Sequence, residues 1–484
     1  MSRKNATYKI ASSKMLSKEQ KAEEVPPMVG TKADSSNAVG KPQKNNCYLK
    51  LFSLFILFLS ALTSPAQKLL TLEEAIATAL QNNYDIQLSK NDSAVAALDY
   101  SYRNAAFLPR LNANLGYNWN INDQKQKFAD GTKRQLQGVK SNTITTGIAL
   151  NWTLFDGFKM FATRDKVEEF VKLGELGIKN QVVNTVATVV VTYYNVVRQK
   201  QQLKAIEEQM SINEERVKLA QYKLDIGVGA KPDVLQSKVD LNAQRAAQLN
   251  QQTLINQLKE QLNQSMNATP GSAYDVSDTI PLNMQIALID IQTNIENNNP
   301  LLLIAKKNID IATLTLKERK ADRYPVLSFN SGYNISRVDN KVTVNPYQPL
   351  FNRNRGTVFG FTTTIPILNN LNTRRLIQQA QLDVQYQRLT YDNQRSLINL
   401  SVLNAYNDYL QEKKALTLEE DNILLAKENV DIVFQTYKLG AATFIQLREA
   451  QKSLEDAYNR LITARYNTKL AETELLRLKG DLVK

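Results

Sequence analysis

Few side chains in this sequence could carry out catalytic chemistry. The 484 residues include no histidine and a single cysteine, Cys47. Histidine triads, histidine metal sites, disulfides and thiolate metal sites are therefore excluded. A catalytic site would need carboxylates alone, no carboxylate pair stands out, and the sequence has no Gly-rich phosphate loop. We therefore expect neither an enzyme nor a bound cofactor or metal.

The polar residues with the clearest spacing follow two glycine breaks between helical segments. Asp233 comes six residues after Gly227, and Gln446 comes six residues after Gly440. Both are predicted in the first turn of a helix, where acceptors satisfy free backbone N–H groups and the dipole favours negative charge. Thr443-x-x-Gln446 also has the spacing of a capping box. Helix capping is therefore expected of both residues, and any further role would be additional.

The elements that must position these residues occur twice in the sequence. Asn82-Asn83 recurs 216 residues later as Asn298-Asn299, and Pro109-Arg-Leu111 recurs at the same offset as Pro325-Val-Leu327. After the next polar loop the offset becomes 213, which matches Gly227 with Gly440. A constant offset on each side of one loop means that two halves share one fold. We assign the chain to a first repeat at 67–270, a linker and start of the second repeat at 271–300, and a second repeat at 301–480.

Each half has the same order of periodicities. A helix from residue 71 to about 108 is followed by two segments that alternate apolar side chains with asparagine or other polar ones. Glycine breaks then bound a helix of roughly 100 Å, and a further helix completes the half. The predicted strands cover about 111–120, 143–154, 326–335 and 358–368, the long helices about 157–226 and 370–439, and the polar loops about 120–142 and 335–357.

Alternating strands of this length can lie half-buried on a soluble core or span a bilayer as barrel strands. A sheet in a membrane must close, and four strands are too few to close alone. Two chains would give eight strands around a filled interior, and three would give twelve around a channel. This reasoning does not decide between two and three chains, but the chain must oligomerise to form a pore.

The N-terminal segments have the pattern of a leader. Residues 49–66 hold a short apolar run preceded by lysines and followed by Ser64-Pro65-Ala66, which predicts a signal peptide cut near Ala66. Residues 1–48 are expected to be a disordered extension with the positively charged region of that signal. The alternative for the apolar run is a short buried core helix. Much of the net charge of +13 lies here, and later charges alternate in sign, so we expect no nucleic-acid binding.

At this point the sequence resembles the TolC-like outer-membrane efflux protein family over residues 69–480. The motifs that carry the resemblance occur in the family's order, and their doubling makes them specific. They are Leu70-Thr-Leu-Glu-Glu-Ala-Ile-Ala-Thr-Ala-Leu-Gln-Asn-Asn83, Phe107-Leu-Pro-Arg-Leu111, Leu154-Phe-Asp-Gly157, Gly227…Asp233-Val-Leu-Gln and Gly440…Gln446-Leu-Arg-Glu-Ala-Gln451.

The resemblance implies an α+β membrane protein of the outer membrane of a Gram-negative bacterium. Each chain of a homotrimer would give four transmembrane strands to a shared twelve-stranded β-barrel, continued by a long periplasmic coiled-coil α-barrel. It would be a passive, gated exit channel for efflux or type I secretion. Its expected partners are a periplasmic adaptor and an inner-membrane pump of the RND or ABC type.

The resemblance also implies which residues form the periplasmic gate. Asp233 and Tyr437 match positions that are hydrogen-bonded between coiled coils in the closed state. The family's gate arginine is replaced by Ala442, and its two lumen aspartates by Gln446 and Glu449. A ring of three Glu449 carboxylates would still attract cations.

Two triplets at the glycine breaks correspond to the family's adaptor contacts. These triplets are Ile226-Gly227-Val228 and Leu439-Gly440-Ala441.

Two other classes of periplasmic protein also contain long helices. A periplasmic coiled-coil structural protein without a pore would be soluble, and its strands would have no membrane thickness. An adaptor would carry one helical hairpin between halves of a lipoyl-like domain, whereas this chain carries two copies of a strand–helix unit. The doubled pattern of four strands favours the channel over both.

Overall fold

A computed structural model describes residues 68–345 and 347–482. The predicted extension at 1–48 and signal peptide at 49–66 lie outside the described residues. The elements up to residue 266 are β1 Lys68–Leu70, α1 Leu72–Asn82, α2 Tyr84–Ser101, β2 Arg110–Lys127, β3 Lys133–Phe155, α3 Lys159–Asp225 and α4 Lys231–Met266. Those that follow are β4 Tyr274–Val276, α5 Leu288–Gln292, α6 Ile295–Asn298, α7 Pro300–Ala321, β5 Val326–Asn340, β6 Phe351–Thr364, α8 Asn372–Lys438 and α9 Phe444–Lys479.

The two long helices have the predicted positions and equal lengths. Both α3 and α8 contain 67 residues, which corresponds to about 100 Å. Each ends just before a glycine in the left-handed region, with φ of 79° at Gly227 and 80° at Gly440. This conformation favours glycine because other residues carry a Cβ that clashes there. The α3–α4 pair is called the first hairpin below, and the α8–α9 pair the second hairpin.

The first predicted helix, at 71–108, is wrong as a continuous element. It breaks at Asn83, whose side-chain oxygen accepts two backbone N–H groups at the start of α2 and whose Nδ2 donates to the carbonyl of Ser265 at 2.9 Å. Asn299 repeats both contacts at the start of α7, with its Nδ2 2.8 Å from the carbonyl of Leu478. These buried asparagines cap one helix and bind the end of another, which explains why the motif occurs twice.

The four longer strands form one antiparallel sheet in the order β2-β3-β5-β6. They extend well into the segments predicted as loops, so that the β2–β3 turn spans only 128–132 and the β5–β6 connection 341–350. The predicted loops 120–142 and 335–357 are therefore wrong in length. Backbone ladder bonds continue through polar residues as readily as through apolar ones. The outer edges of β2 and β6 have no neighbour within the described chain.

The sheet has one apolar face and one polar face. Residues directly opposite in a ladder point to the same side, and the register places Leu111 opposite Leu150 and Ser331 opposite Phe359. This outward face exposes large apolar side chains, among them Leu115, Trp119, Phe359 and Phe361 at 70–80%. The opposite face carries Asn112, Asn114, Asn118, Asn330 and Asn334. The predicted separation of asparagines from apolar residues is confirmed.

The largest buried cluster lies where α3 and α4 pass the small parallel sheet of β1 and β4. Val186, Val189, Tyr193 and Val196, members of the predicted coiled-coil stripe, are at most 1% exposed. The Tyr193 hydroxyl donates to the carbonyl of Leu70 at 2.8 Å, which fixes β1 against α3. Within 68–345 and 347–482, no helix combines the length and apolarity that crossing a bilayer requires.

Candidate functional site

The turns of the two hairpins present apolar side chains to solvent. Ile226, Val228 and Leu439 expose 53%, 71% and 84% of their surfaces. Each turn is closed by backbone bonds alone, such as Val228 N–H to the carbonyl of Lys223 at 3.0 Å. The backbone fixes these turns, so the exposed side chains are free to contact a partner.

The helices that leave the turns begin in two different ways. Thr443 and Gln446 form a complete capping box at the start of α9, with the Thr443 N–H donating to Gln446 Oε1 at 2.8 Å. The predicted capping role of Gln446 is confirmed. The N-cap residue of α4 is Ala230, which offers no side-chain acceptor, and Asp233 lies in the first turn of that helix. No side-chain hydrogen bond caps this helix in the described chain, so the predicted capping role of Asp233 is wrong. Only its negative charge acts on the helix, because it lies near the positive end of the helix dipole.

Tyr437 is buried at the end of α8 and is held by a lysine from the other hairpin. The Lys223 ammonium lies 3.8 Å from the centroid of its ring and donates to its backbone carbonyl. Burial raises the pKa of the Tyr437 hydroxyl, and the charge of Asp233 adds to this, while Arg216 opposes it. In the described chain the Asp233 carboxylate and the Tyr437 hydroxyl form no hydrogen bond with each other. Their interaction here is electrostatic, and Lys223 makes a direct contact between the hairpins.

A second link lies further along α3, at Arg216, which is only 1% exposed. Its Nη2 donates to Asp240 Oδ2 in α4 at 2.6 Å, and its Nη1 to Gln451 Oε1 in α9 at 2.5 Å. The guanidinium also lies 5.3 Å from the ring centroid of Phe444. Burial lowers the pKa of Arg216, and the charge of Asp240 opposes that shift. One buried cation thus connects both helices of the first hairpin to the second.

Glu449 lies beside this link, on the exposed side of α9. It lines a cavity of about 350 Å³ together with Arg448 and Lys452 of the same helix and with residues of α3 and α4, including Asp240. The Asp240 carboxylate also accepts an ion pair from Arg448, with Nε and Oδ2 3.4 Å apart. The structure therefore gathers Asp233, Tyr437, Gln446 and Glu449 around the hairpin ends.

Sequence reasoning missed Lys223, Arg216 and Asp240. One signal was available in the buried positions of α3 near its end, which are spaced by three or four residues as in a coiled-coil seam. The seam is apolar in the Val and Tyr stripe but becomes polar here, where its members are Ala205, Gln209, Asn213, Arg216 and Ala220. A charge at a seam position predicts a specific partner across the interface.

Comparison with known proteins decides what this architecture belongs to. Residues 75–268 and 293–481 match the family described as outer membrane efflux protein. The chain belongs to this family. It is similar to the outer membrane efflux protein BepC of Brucella suis biovar 1, with 22% identity over 434 residues, which cover 87% of this chain and 88% of BepC. It is also similar to the outer membrane protein TolC of Vibrio cholerae, at 22% identity over 81% of this chain and 86% of that protein.

Solved structures agree with the family. The outer-membrane channel OprN has a TM-score of 0.69 with 16% identity, covering 85% of this chain and 90% of OprN. The predicted fold class is confirmed for the single chain: a four-stranded antiparallel sheet is continued by long helices, as in the solved outer-membrane channel. The family membership places the protein in the outer membrane of a Gram-negative bacterium, with a periplasmic helical extension.

Proposed function

We propose that the chain forms a passive, gated exit channel that conducts solutes from the periplasm to the outside, and that it is not an enzyme. The observation that carries this proposal is the four-stranded sheet whose two edges lack neighbours among the described residues while its apolar face is exposed. Such a sheet is unstable in water and in lipid until its edges pair with other copies. Pairing β6 of one copy with β2 of the next closes a ring, and three copies give twelve strands around an asparagine-lined lumen.

The helices support the same assembly. Exposed apolar side chains recur along one side of α8, and no other part of the described chain covers this stripe. Its members include Leu382, Leu389, Leu410, Leu425 and Ile432, which are 37–65% exposed. A stripe with near-heptad spacing is suited to packing against a neighbouring helix. In a homotrimer, each of the three copies of this stripe would be buried against a neighbouring chain.

The exposed turns are proposed as the contact with a periplasmic adaptor, through which an RND or ABC pump delivers the substrate. The contact residues are Ile226, Gly227, Val228, Leu439, Gly440 and Ala441. Apolar tips on rigid hairpins can insert into matching grooves of another helical protein. Replacing Leu439 by Asp should abolish crosslinking to the adaptor without changing the amount of trimer, whereas Tyr347→Asp on the β5–β6 connection should leave crosslinking unchanged.

The gate is proposed at Asp233, Tyr437, Gln446 and Glu449, with Lys223 as the cation that joins the hairpins. Replacing Lys223 by Met keeps the aliphatic stem but removes the ammonium, so the hairpins should separate more readily and conductance in planar bilayers should rise. Lys218→Met, which removes an exposed ammonium from the same helix, serves as the matched control, with unchanged conductance expected. Equal conductance of Lys223→Met and wild type would contradict this gate.

The proposed ring of Glu449 carboxylates is tested separately. Trivalent cations added to the periplasmic side should block the wild-type channel, and Glu449→Gln should remove the block. A block that persists in the variant would place the cation elsewhere.

The assembly is tested by outer-membrane fractionation followed by light scattering corrected for bound detergent. A trimer in the outer-membrane fraction supports the channel. A soluble periplasmic monomer would refute it and favour a coiled-coil structural protein instead.

A further inference from the structure

Two arginines interrupt the apolar character of the outward face. Arg353 and Arg355 lie on β6 with the same parity as Phe359 and Phe361, so their side chains leave the sheet on the same side. Both arginines are exposed. The register places Arg353 directly opposite Arg337 of β5. The outward face therefore carries a group of cations next to its aromatic residues.

These two arginines have no anionic partner in the described chain. The one nearby outward carboxylate, Asp339, is taken by Arg337, whose Nε lies 2.8 Å from its Oδ2. Like charges directly opposite in a ladder repel each other, so the Arg337–Arg353 pair needs an anion from outside the sheet.

Closing the barrel does not supply that anion. The strand that must pair with β6 in the ring is β2 of the next copy. Up to Ile121 its outward side chains carry no carboxylate: they are Leu111, Ala113, Leu115, Tyr117, Trp119 and Ile121. The next residue of the same parity, Asp123, is already engaged within its own chain, because its Oδ1 accepts the backbone N–H of Gly138 at 2.7 Å. The counterion must therefore come from the medium around the barrel.

The height of the arginines identifies that medium. Arg355 lies nine residues from the helical end of β6 at Thr364, which is about 30 Å along an extended strand. A strand tilt of about 40° converts this to about 23 Å of height, close to the apolar band of about 25 Å in outer-membrane barrels. The helices extend into the periplasm from the opposite end, so the arginines lie at the headgroup level of the outer leaflet.

The distal half of the sheet as a whole has the same sign of charge. It holds nine Lys or Arg residues against three Asp. The cations are Lys125, Lys127, Lys133, Arg134, Lys140, Arg337, Lys341, Arg353 and Arg355, and the carboxylates are Asp123, Asp130 and Asp339. Such an excess raises the local concentration of anions around the barrel mouth.

We propose that Arg353 and Arg355 bind phosphate groups of outer-leaflet lipids, and that they form a phosphate-binding belt around the barrel. Guanidinium groups match phosphate oxygens with two parallel N–H bonds, and the aromatic residues beneath them contact the acyl chains. The inference rests on the shared barrel of the proposed function. It assigns that barrel a specific lipid partner, a phosphorylated glycolipid or phospholipid headgroup held by its phosphate.

The experiment titrates the full-length trimer in neutral detergent with diphosphorylated lipid A and counts bound lipids by native mass spectrometry. Each arginine near a charged lipid surface contributes about fivefold in affinity. Arg353→Gln/Arg355→Gln should therefore bind the lipid about 25-fold more weakly. Arg110→Gln is the matched control, because Arg110 is exposed at the helical end of the sheet and on its polar face, and its affinity should equal that of the wild type.

Three results would overturn the belt. The first is that the double variant and the wild type bind lipid A with equal affinity. The second is that Arg110→Gln loses as much affinity for the lipid as the double variant does. The third is that millimolar inorganic phosphate displaces the lipid, which would indicate a site for free anions. The double variant should remain a trimer in the outer-membrane fraction. If the wild-type chain is a monomer in the outer-membrane fraction, the proposed function is refuted. If the wild-type chain is a trimer but binds the lipid no more tightly than the double variant does, only the phosphate-binding belt is refuted.

Discussion

Replacing Asp240 by Asn tests whether the buried Arg216 holds the two hairpins together. The change removes the charge that compensates a guanidinium of 1% exposure, and it leaves the Arg448 cation nearby without its partner. Removing one member of a buried ion pair costs about 3–5 kcal/mol, because the other charge stays buried. We expect the lower end, about 3 kcal/mol, since the Asp240 side chain is 17% exposed.

The expected loss is local, so it is measured by hydrogen exchange of the detergent-solubilised trimer. A cost of about 3 kcal/mol lowers the protection of amides at the ends of α3 and α9 by about 100-fold. Amides near Tyr193 serve as an internal reference and should not change. Arg216→Met should have a smaller effect, because it removes the buried charge and leaves Asp240 paired with Arg448. If Arg216→Met lowers protection as much as Asp240→Asn does, the buried cation is not what the carboxylate compensates.

Three further predictions concern the framework. Asn299→Ala should destabilise the fold by about 1–2 kcal/mol, because it removes a buried cap and the bond to the end of α9, and an unchanged thermal midpoint would contradict this. Gly440→Ala should lower that thermal midpoint, because the φ of 80° at Gly440 strains any other residue. Gly177→Ala inside α3, where an added Cβ has open space, should raise the midpoint by the equivalent of about 0.5–1 kcal/mol. A higher midpoint in both variants would refute the left-handed turn. Burial acts to raise the pKa of Asp275, but its bond to Lys200, 2.5 Å long, outweighs this and lowers the pKa. The stability that this ion pair contributes is present above the unfolded pKa of about 3.9 and is lost as the pH falls through the folded pKa. In Asp275→Asn, the free energy of unfolding should therefore depend less on pH below about pH 4. The difference should be modest, because both partners of the ion pair are partly exposed.

The long helices could be predicted from the sequence because glycines follow both of them and Gly157 precedes the first. The predicted segments 157–226 and 370–439 differ from α3 and α8 by one or two residues at each end. The strand ends could not be predicted, since above the apolar band both faces of the sheet are polar and the period of two disappears. The break at Asn83 was also missed, because its cause is a bond to Ser265, far away in the sequence.

The candidate site was predictable in its place but not in its contacts. The glycine breaks marked the hairpin turns, and Thr443 with Gln446 showed the capping box. The links between hairpins join residues that are far apart in the chain, such as Arg216 and Gln451. The seam position of Arg216 indicates that it has a partner, but no local pattern identifies Gln451 as that partner. Single-sequence reasoning identifies helix ends, whereas the pairing of helices requires the fold.

The two open edges of the sheet have a genetic consequence. A ring closes only when both edge strands of every chain can pair. One chain with a damaged β6 therefore prevents the whole ring from closing. In a cell that makes intact and damaged copies in equal amounts, random mixing leaves only about one-eighth of the trimers fully intact. Lesions on β2 or β6 should therefore be dominant over the wild-type gene, whereas lesions that prevent the chain from folding, and so from joining a ring, should be recessive.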